Sequence, residues 1–387
     1  SFFRPFASAT HWFDYTTWRD SAWPMHLQNV FWFALMCGLA FVLYREISKP
    51  AWIAWLAAFM YAADEVHGQA VGWISSRNTL MVTCASICVL IAHHRWRTTK
   101  RDRWAIAAFA MYGTGLLCGE GAIGVCAYLF AYALIFGSDT WRGRIMSLVP
   151  YAAISGVYLV LYRVYGFGSA GSEWYADPGA DFSGWLRMLA TNGPILFFTE
   201  TFIWPSALFR AGWPWNAIYF GLMLATILLA LGVMRPMLRS SAHARFWLLG
   251  AIIALVPVSS VVVQARVLTL SSIGVMGLLA EYLAGWFNGR QFAKLLAAIV
   301  GMTFVVRFLD SAHRLGYGMF AVVLELLAAL LYGLLRYGEK SADWLPKSGP
   351  RRAAATVLAC VLIVAHLIAG PNTLTVQSMV HGSAGRK

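Results

Sequence analysis

Residues 104–137 read WAIAAFAMYGTGLLCGEGAIGVCAYLFAYALIFG. The stretch holds a single charged residue, Glu120, set between Gly119 and Gly121. Its apolar residues run on without the every-second-residue alternation of a strand, so it reads as helix. One helix of this length would be ~50 Å long, well beyond the ~30 Å hydrocarbon core of a bilayer. Two short spans, 104–118 and 119–137, fit the pattern, and so does a helical hairpin. The charges on either side decide between them.

Further apolar runs cover 27–45, 50–63, 78–94, 146–165, 216–234, 246–263, 268–287, 293–309, 315–335 and 353–370. Between them the basic residues fall in bursts: Arg45 and Lys49; Arg95 to Arg103; Arg142 and Arg144; Arg235 to Arg245; Arg290 and Lys294; and 336–352 with Arg336, Lys340, Lys347, Arg351 and Arg352. Every second loop is basic only if 104–118 and 119–137 are separate spans. The chain therefore reads as an all-α polytopic bundle of twelve spans, or eleven if one is re-entrant. By the positive-inside rule the basic loops, including 336–352, face the cytoplasm. Residues 1–26 and the long segment 166–215 then lie outside. Trp185-Leu186-Arg187-Met188-Leu189 in the latter reads as an interfacial helix.

Composition agrees. Of 387 residues, 59% are hydrophobic and 12% charged, with mean hydropathy +0.62; a soluble domain carries about 25% charge. This leaves one membrane domain over 1–387, without repeats or a soluble module. The net charge of +13 is explained by loops meeting anionic headgroups, so nucleic acid is not expected as a partner. The six cysteines lie within or at the ends of apolar runs and form no CxxC pair, which implies neither a zinc site nor a disulfide framework. The chain opens at Ser1 on an aromatic-rich stretch that is no signal peptide, and reads as following at least one further span.

Polar residues gather at the outer ends of the spans: Arg4, His11, Asp14 and His26; Asp64, Glu65, His67, Gln69 and Arg77; Glu120; Arg163, Glu200 and Arg266. Charges near lipid are costly, so they pair, face a cavity or bind something polar. Arg163 and Arg187 also suit snorkelling to headgroups. Glu120 sits where a helix begins and faces outward. Arg266, between two valine-rich stretches, is expected to pair with a carboxylate or an anionic ligand. Arginines and carboxylates around an outer cavity suit a phosphate-bearing amphiphile, because guanidinium groups bind phosphate oxygens in pairs and a carboxylate can take a proton from a hydroxyl.

Four segments among these resemble the GT-C superfamily of polytopic glycosyltransferases, most of all the transmembrane O-mannosyltransferase branch and its bacterial relatives. They are Phe3-Arg4-Pro5-Phe6 with Trp23-Pro24-Met25-His26-Leu27-Gln28-Asn29-Val30; Val66-His67-Gly68-Gln69-Ala70-Val71-Gly72-Trp73-Ile74-Ser75-Ser76-Arg77; Gly115-Leu116-Leu117-Cys118-Gly119-Glu120; and Pro257-Val258-Ser259-Ser260 leading to Arg266-Val267-Leu268-Thr269-Leu270-Ser271-Ser272-Ile273-Gly274. They come in the family's order and cover residues 1 to about 285. Gly119, Gln69 and Ala265 stand where the family has lysine, glutamate and glutamate.

The resemblance implies sugar transfer from a polyprenyl-phosphate-linked donor to a protein or glycan acceptor, on the extracytoplasmic face of a bacterial inner membrane. It makes Arg4, His67, Arg77, Glu120 and Arg266 the substrate-binding candidates, with Glu120 also a candidate catalytic base. The family's own acidic motif would precede Ser1. Membrane lipids are implied partners, and a divalent metal and a larger membrane complex stay open. A catalytically silent assembly subunit is the alternative, favoured by the three departures. A transporter fits less well, because the charges lie at one face and no inverted repeat with broken helices is visible.

Overall fold

The computed structural model describes residues 2–137, 140–168, 179, 181–203, 214–261, 263–297 and 342–371. Among these the chain is helical, with no strand. The helices are α1 (Pro5–Thr17), α2 (Ala22–Ile47), α3 (Ala51–Ala62), α4 (His67–Gly72), α5 (Arg77–Thr99), α6 (Asp102–Cys118), α7 (Val125–Ile135), α8 (Trp141–Val164), α9 (Phe182–Phe202), α10 (Trp215–Ser240), α11 (Ala242–Val258), α12 (Ser271–Leu283) and α13 (Gly349–Ile363). Short 3-10 turns cover Ile74–Ser76, Glu120–Gly124 and Ala265–Leu268, and a π-helical turn, Val364–Ala369, extends α13.

Five of these helices are long and apolar enough to cross a membrane: Ala22–Ile47, Ile74–Thr99, Trp141–Val164, Trp215–Ser240 and Gly349–Ala369. Shorter apolar helices, Ala51–Ala62, Glu120–Ile135, Ala242–Val258 and Ser271–Leu283, fill the bundle between them. At 12 residues α3 rises only ~18 Å, less than a full bilayer core. The stretch 104–137 is broken at Gly119 into α6 and the Glu120–Ile135 helix, as the basic-loop pattern requires. The run expected at 315–335 and most of 293–309 lie outside the described residues.

Burial sorts the helices. Along α5 most side chains are buried, so it is central and packs against α2 and α6. Few are buried on α8 and α10, which turn Val157, Val160, Val164, Leu222, Leu228 and Leu229 outward. A water-soluble bundle would not leave such faces bare, whereas lipid covers them. With lipid outside, close packing and hydrogen bonds must hold helices together. Gly277 shows the packing: a Cβ there would sit 2.5 Å from Trp247 Cδ2, so only glycine lets α12 lie so close to α11. Tyr128 on α7 shows the bonding, donating to the Leu270 carbonyl at 2.9 Å and accepting from the Gly274 amide at 2.9 Å. Tyr44 on α2 donates to the Ile273 carbonyl at 2.7 Å. These bonds anchor the start of α12, just after the Arg266 turn.

Candidate functional site

Arg4 immediately precedes α1, where Pro5 at the first helical position fixes the turn of the chain. Glu120 opens the 3-10 turn that follows the break at Gly119. The fold brings them together across 116 residues: Arg4 Nε donates to Glu120 Oε2 at 3.0 Å, and Nη2 donates to Oε1. The pair is part-open, the two side chains being 27% and 34% exposed. A Cβ at Gly119 would come within 3.2 Å of Val82 Cγ2 and 3.5 Å of Asn78 Nδ2, so glycine lets the turn close onto α5 beside Arg77.

Arg77, the first residue of α5, is wholly buried. Its guanidinium meets Asp14 Oδ2 at 2.5 Å, Asn29 Oδ1 at 2.7 Å and the Met25 carbonyl at 3.1 Å. Asn29 in turn donates to the carbonyls of Val71 and Trp73 at 3.2 and 3.3 Å. One cation thus ties α1, α2, α5 and the α4 turn into a single frame, with all three of its nitrogens used. His11, on α1 near this knot, has its imidazole pKa lowered by burial and by the Arg77 charge.

His67 begins α4, fully buried against the rings of Phe33 and Tyr61, with centroids 5.5 and 4.6 Å away. Burial pushes its pKa down to about 3, so the ring is neutral. Tyr61 donates to the Thr269 carbonyl at 2.9 Å, and the Thr269 and Thr83 hydroxyls are 2.9 Å apart. Tyr61 and Thr83 thus tie the end of the Arg266 turn to α3 and α5, and His67 packs against Tyr61 beside them.

Arg266 lies half-buried in the turn Ala265–Leu268, its Cζ 5.5 Å from the centre of the Trp73 ring. Among the described residues it forms no ion pair with a carboxylate, the first of the two expected partners, and lies instead against an aromatic face. Trp73 is 47% exposed, which leaves the stacked guanidinium beside open surface. The five candidate residues thus belong to one end of the bundle. Arg4, Glu120 and Arg266 are partly accessible there; Arg77 and His67 are the buried layer beneath.

A further pair was not apparent from sequence position alone. Asp64, in the loop before α4, and Glu200, near the end of α9, are both fully buried and lie against each other. Ser272 donates to Asp64 Oδ2 at 2.7 Å. Burial pushes the Asp64 carboxyl up to about 7, and burial together with the Asp64 charge raises that of Glu200. On the other side of α9, His366 in the π-helical turn lies 2.9 Å from the Thr201 carbonyl. The sequence marks Asp64 and Glu200 only as two more polar residues near span ends, and gives no sign of their contact. Among the described residues, no three His, Cys, Asp or Glu side chains gather as a metal site.

A helical bundle with bare apolar outer faces, carrying arginines at one end that pair with carboxylates or lie against an aromatic ring, defines the chain as a polytopic membrane protein. No family model matches it. It is 29% identical over 184 residues, 43% of its length, to the Protein O-mannosyl-transferase Tmtc2 of Drosophila melanogaster, and the match spans 19% of that protein. Among solved structures it is similar to ArnT from Cupriavidus metallidurans, crystallised bound to undecaprenyl phosphate, with a TM-score of 0.44 and 16% identity over 100% of this chain and 68% of that one.

Proposed function

We propose that the chain forms the membrane core of a glycosyltransferase, which moves a sugar from a polyprenyl-phosphate-linked donor to an extracytoplasmic protein or glycan acceptor. The observation that carries the reading is the part-open Arg4–Glu120 pair, at the same end as Arg266 on the Trp73 face. The O-mannosyl-transferase likeness supports it, as does the alternation of basic loops, by which this end reads as extracytoplasmic. A bacterial inner membrane is the setting proposed.

The donor phosphate engages Arg266 and Arg4, a paired recognition that guanidinium geometry favours. In doing so it competes with Glu120 for Arg4. Glu120, released, accepts the proton of the acceptor hydroxyl. The acceptor oxygen bonds to the anomeric carbon, the carbon–oxygen bond to the phosphate breaks, and polyprenyl phosphate leaves with the electron pair. A single displacement of this kind inverts the anomeric centre. Arg77 and His67 act by position, holding the α1, α4 and α5 ends on which the open groups stand.

The second reading, a catalytically silent assembly subunit, draws on Arg4 occupying both Glu120 oxygens and on Gly119, Gln69 and Ala265 replacing charged family residues. Sugar transfer from a labelled polyprenyl-phosphate donor, in membranes carrying the full-length gene product, separates the two. Loss of transfer in the Glu120→Gln, Arg266→Ala double variant is expected. Unchanged transfer removes the proposed roles, and an inactive wild type that co-purifies with a larger assembly favours the second reading.

A further inference from the structure

The opposite end of the bundle holds a cavity of about 560 Å³ between the last turns of α2 and α5. Its polar lining is Arg45, Glu46, Lys49, His94, Arg95 and Thr98. The volume falls within the ~300–1,000 Å³ of small-molecule sites. On α2 the lining residues Val42, Arg45, Glu46 and Lys49 recur at helical spacing, so one face of the helix forms one wall. Three cations stand there against one carboxylate.

The cations are not equally engaged. Arg95 Nε donates to Glu46 Oε1 at 2.7 Å, and its guanidinium carbon lies 4.7 Å from the Trp104 ring centre. That neutralises Glu46 and fixes Arg95 in place. Among the described residues Lys49 Nζ donates only to the Arg45 carbonyl, at 3.2 Å, covering the end of α2. Arg45 and Lys49 are exposed, and neither forms an ion pair with a carboxylate among the described residues. The uncompensated charge on the cavity is therefore theirs. One turn along α2, the Phe41 ring lies 4.2 Å from that of Trp55 at a tilt of 37°, and Trp55 is 63% exposed. The cavity therefore opens below an apolar, aromatic wall of the kind found at headgroup depth.

We infer that this basic-end cavity binds a phosphate-bearing headgroup through Arg45 and Lys49, with Arg95 as a fixed third donor. Phosphate suits the set because guanidinium and ammonium donors converge on it, and Glu46 is already paired and so does not repel it. The aromatic wall favours the headgroup of an anionic lipid, whose chains would lie along Phe41 and Trp55. The site lies at the other end of the bundle from Arg4 and Glu120 and owes nothing to the proposed transfer reaction.

The test uses the full chain purified in neutral detergent. Native mass spectrometry reads retention of added dioleoylphosphatidylglycerol against dioleoylphosphatidylcholine, and thermal unfolding is followed with and without inorganic phosphate. Arg45→Gln with Lys49→Gln is expected to lower retention of the anionic lipid about tenfold. Arg235→Gln with Arg239→Gln, which removes the same charge from the exposed end of α10, is expected to leave retention unchanged. A phosphate-induced thermal shift that the Arg45/Lys49 variant abolishes, without lipid selectivity, assigns the same site to a free phosphate compound. Equal losses in both variants, or neither lipid selectivity nor a phosphate shift in the wild type, overturns the inference. Unfolding midpoints without ligand show that the variants are folded.

Discussion

The two arginine–carboxylate pairs at the polar end have the same chemistry and opposite surroundings, so their removal should have opposite consequences. In Asp14→Asn the Arg77 guanidinium stays buried but loses its one counter-charge, since Asn29 and the Met25 carbonyl are neutral. Leaving a buried charge unpaired costs ~3–5 kcal/mol. In Glu120→Gln the Arg4 guanidinium is already about a quarter open to solvent, and water takes over. Exposed pairs contribute ~0–1 kcal/mol. The free-energy difference between the two variants is thus expected to be several kcal/mol, measured by equilibrium unfolding in mixed micelles titrated with a denaturing detergent.

A third variant isolates the cause. Arg77→Met with Asp14→Leu removes both charges and fills the space with apolar atoms, a replacement that is often neutral or stabilising for a buried pair. Here recovery is expected to be partial, because Asn29 Oδ1 loses its donor at a cost of ~1–3 kcal/mol. The double variant should therefore lie between wild type and Asp14→Asn. If Asp14→Asn costs less than ~1 kcal/mol, Arg77 is not held in the sealed setting described, and the reasoning fails.

Glu120→Gln should lower sugar transfer ~10²–10⁴-fold as loss of a general base, with the donor KM little changed; equal transfer excludes that role. Arg266→Lys keeps the charge but loses the planar stack on Trp73, and should raise the donor KM about tenfold while the chain stays folded. Asp64, its pKa raised from 3.8 to about 7 by burial, stabilises the fold fully below pH ~4, and that contribution is lost as pH rises through 7. Unfolding free energy should fall across that window, and Asp64→Asn should flatten the profile. Gly277→Ala puts a Cβ 2.5 Å from Trp247 and should destabilise by ~1–3 kcal/mol in the same titration.

Much of this architecture is legible in the sequence because lipid leaves few choices. Apolar runs must be helices, and alternate basic loops set their directions, which was enough to break 104–137 at Gly119. Partner choice was not legible. Arg77 and Glu120 are equally conspicuous as charges at span ends, yet one is sealed and the other open, and the difference lies in where α1 comes to rest. Asp14 reaches Arg77, and Arg4 reaches Glu120, only because α1 packs against both α5 and α6. Asp64 and Glu200 are hidden more deeply. Two carboxyls 136 positions apart repel if both are ionised, so sequence arithmetic argues against a pairing that burial permits by raising both pKa values. For Arg266 the sequence offers a carboxylate or an anionic ligand as partner and gives no sign of the aromatic ring, six residues on from His67, against which the guanidinium lies.

The layering of that end bears on how a phosphate could act there. A guanidinium paired with a buried carboxylate and closed to solvent cannot exchange partners without exposing a buried charge, so the Arg77 layer resists rearrangement. A guanidinium paired with a part-exposed carboxylate can exchange at little cost, because both groups are already partly hydrated. A phosphate arriving beside Arg266 needs a second cation, and Arg4 is the exchangeable one. On the proposed path the exchange leaves Glu120 unpaired at the surface, open to the acceptor hydroxyl. Arg4→Lys, which keeps the charge but not the twin bond to Glu120, should then raise the donor KM more than it lowers kcat, whereas Arg4→Gln should depress both; identical effects of the two would show that Arg4 serves only to fold α1 onto the bundle.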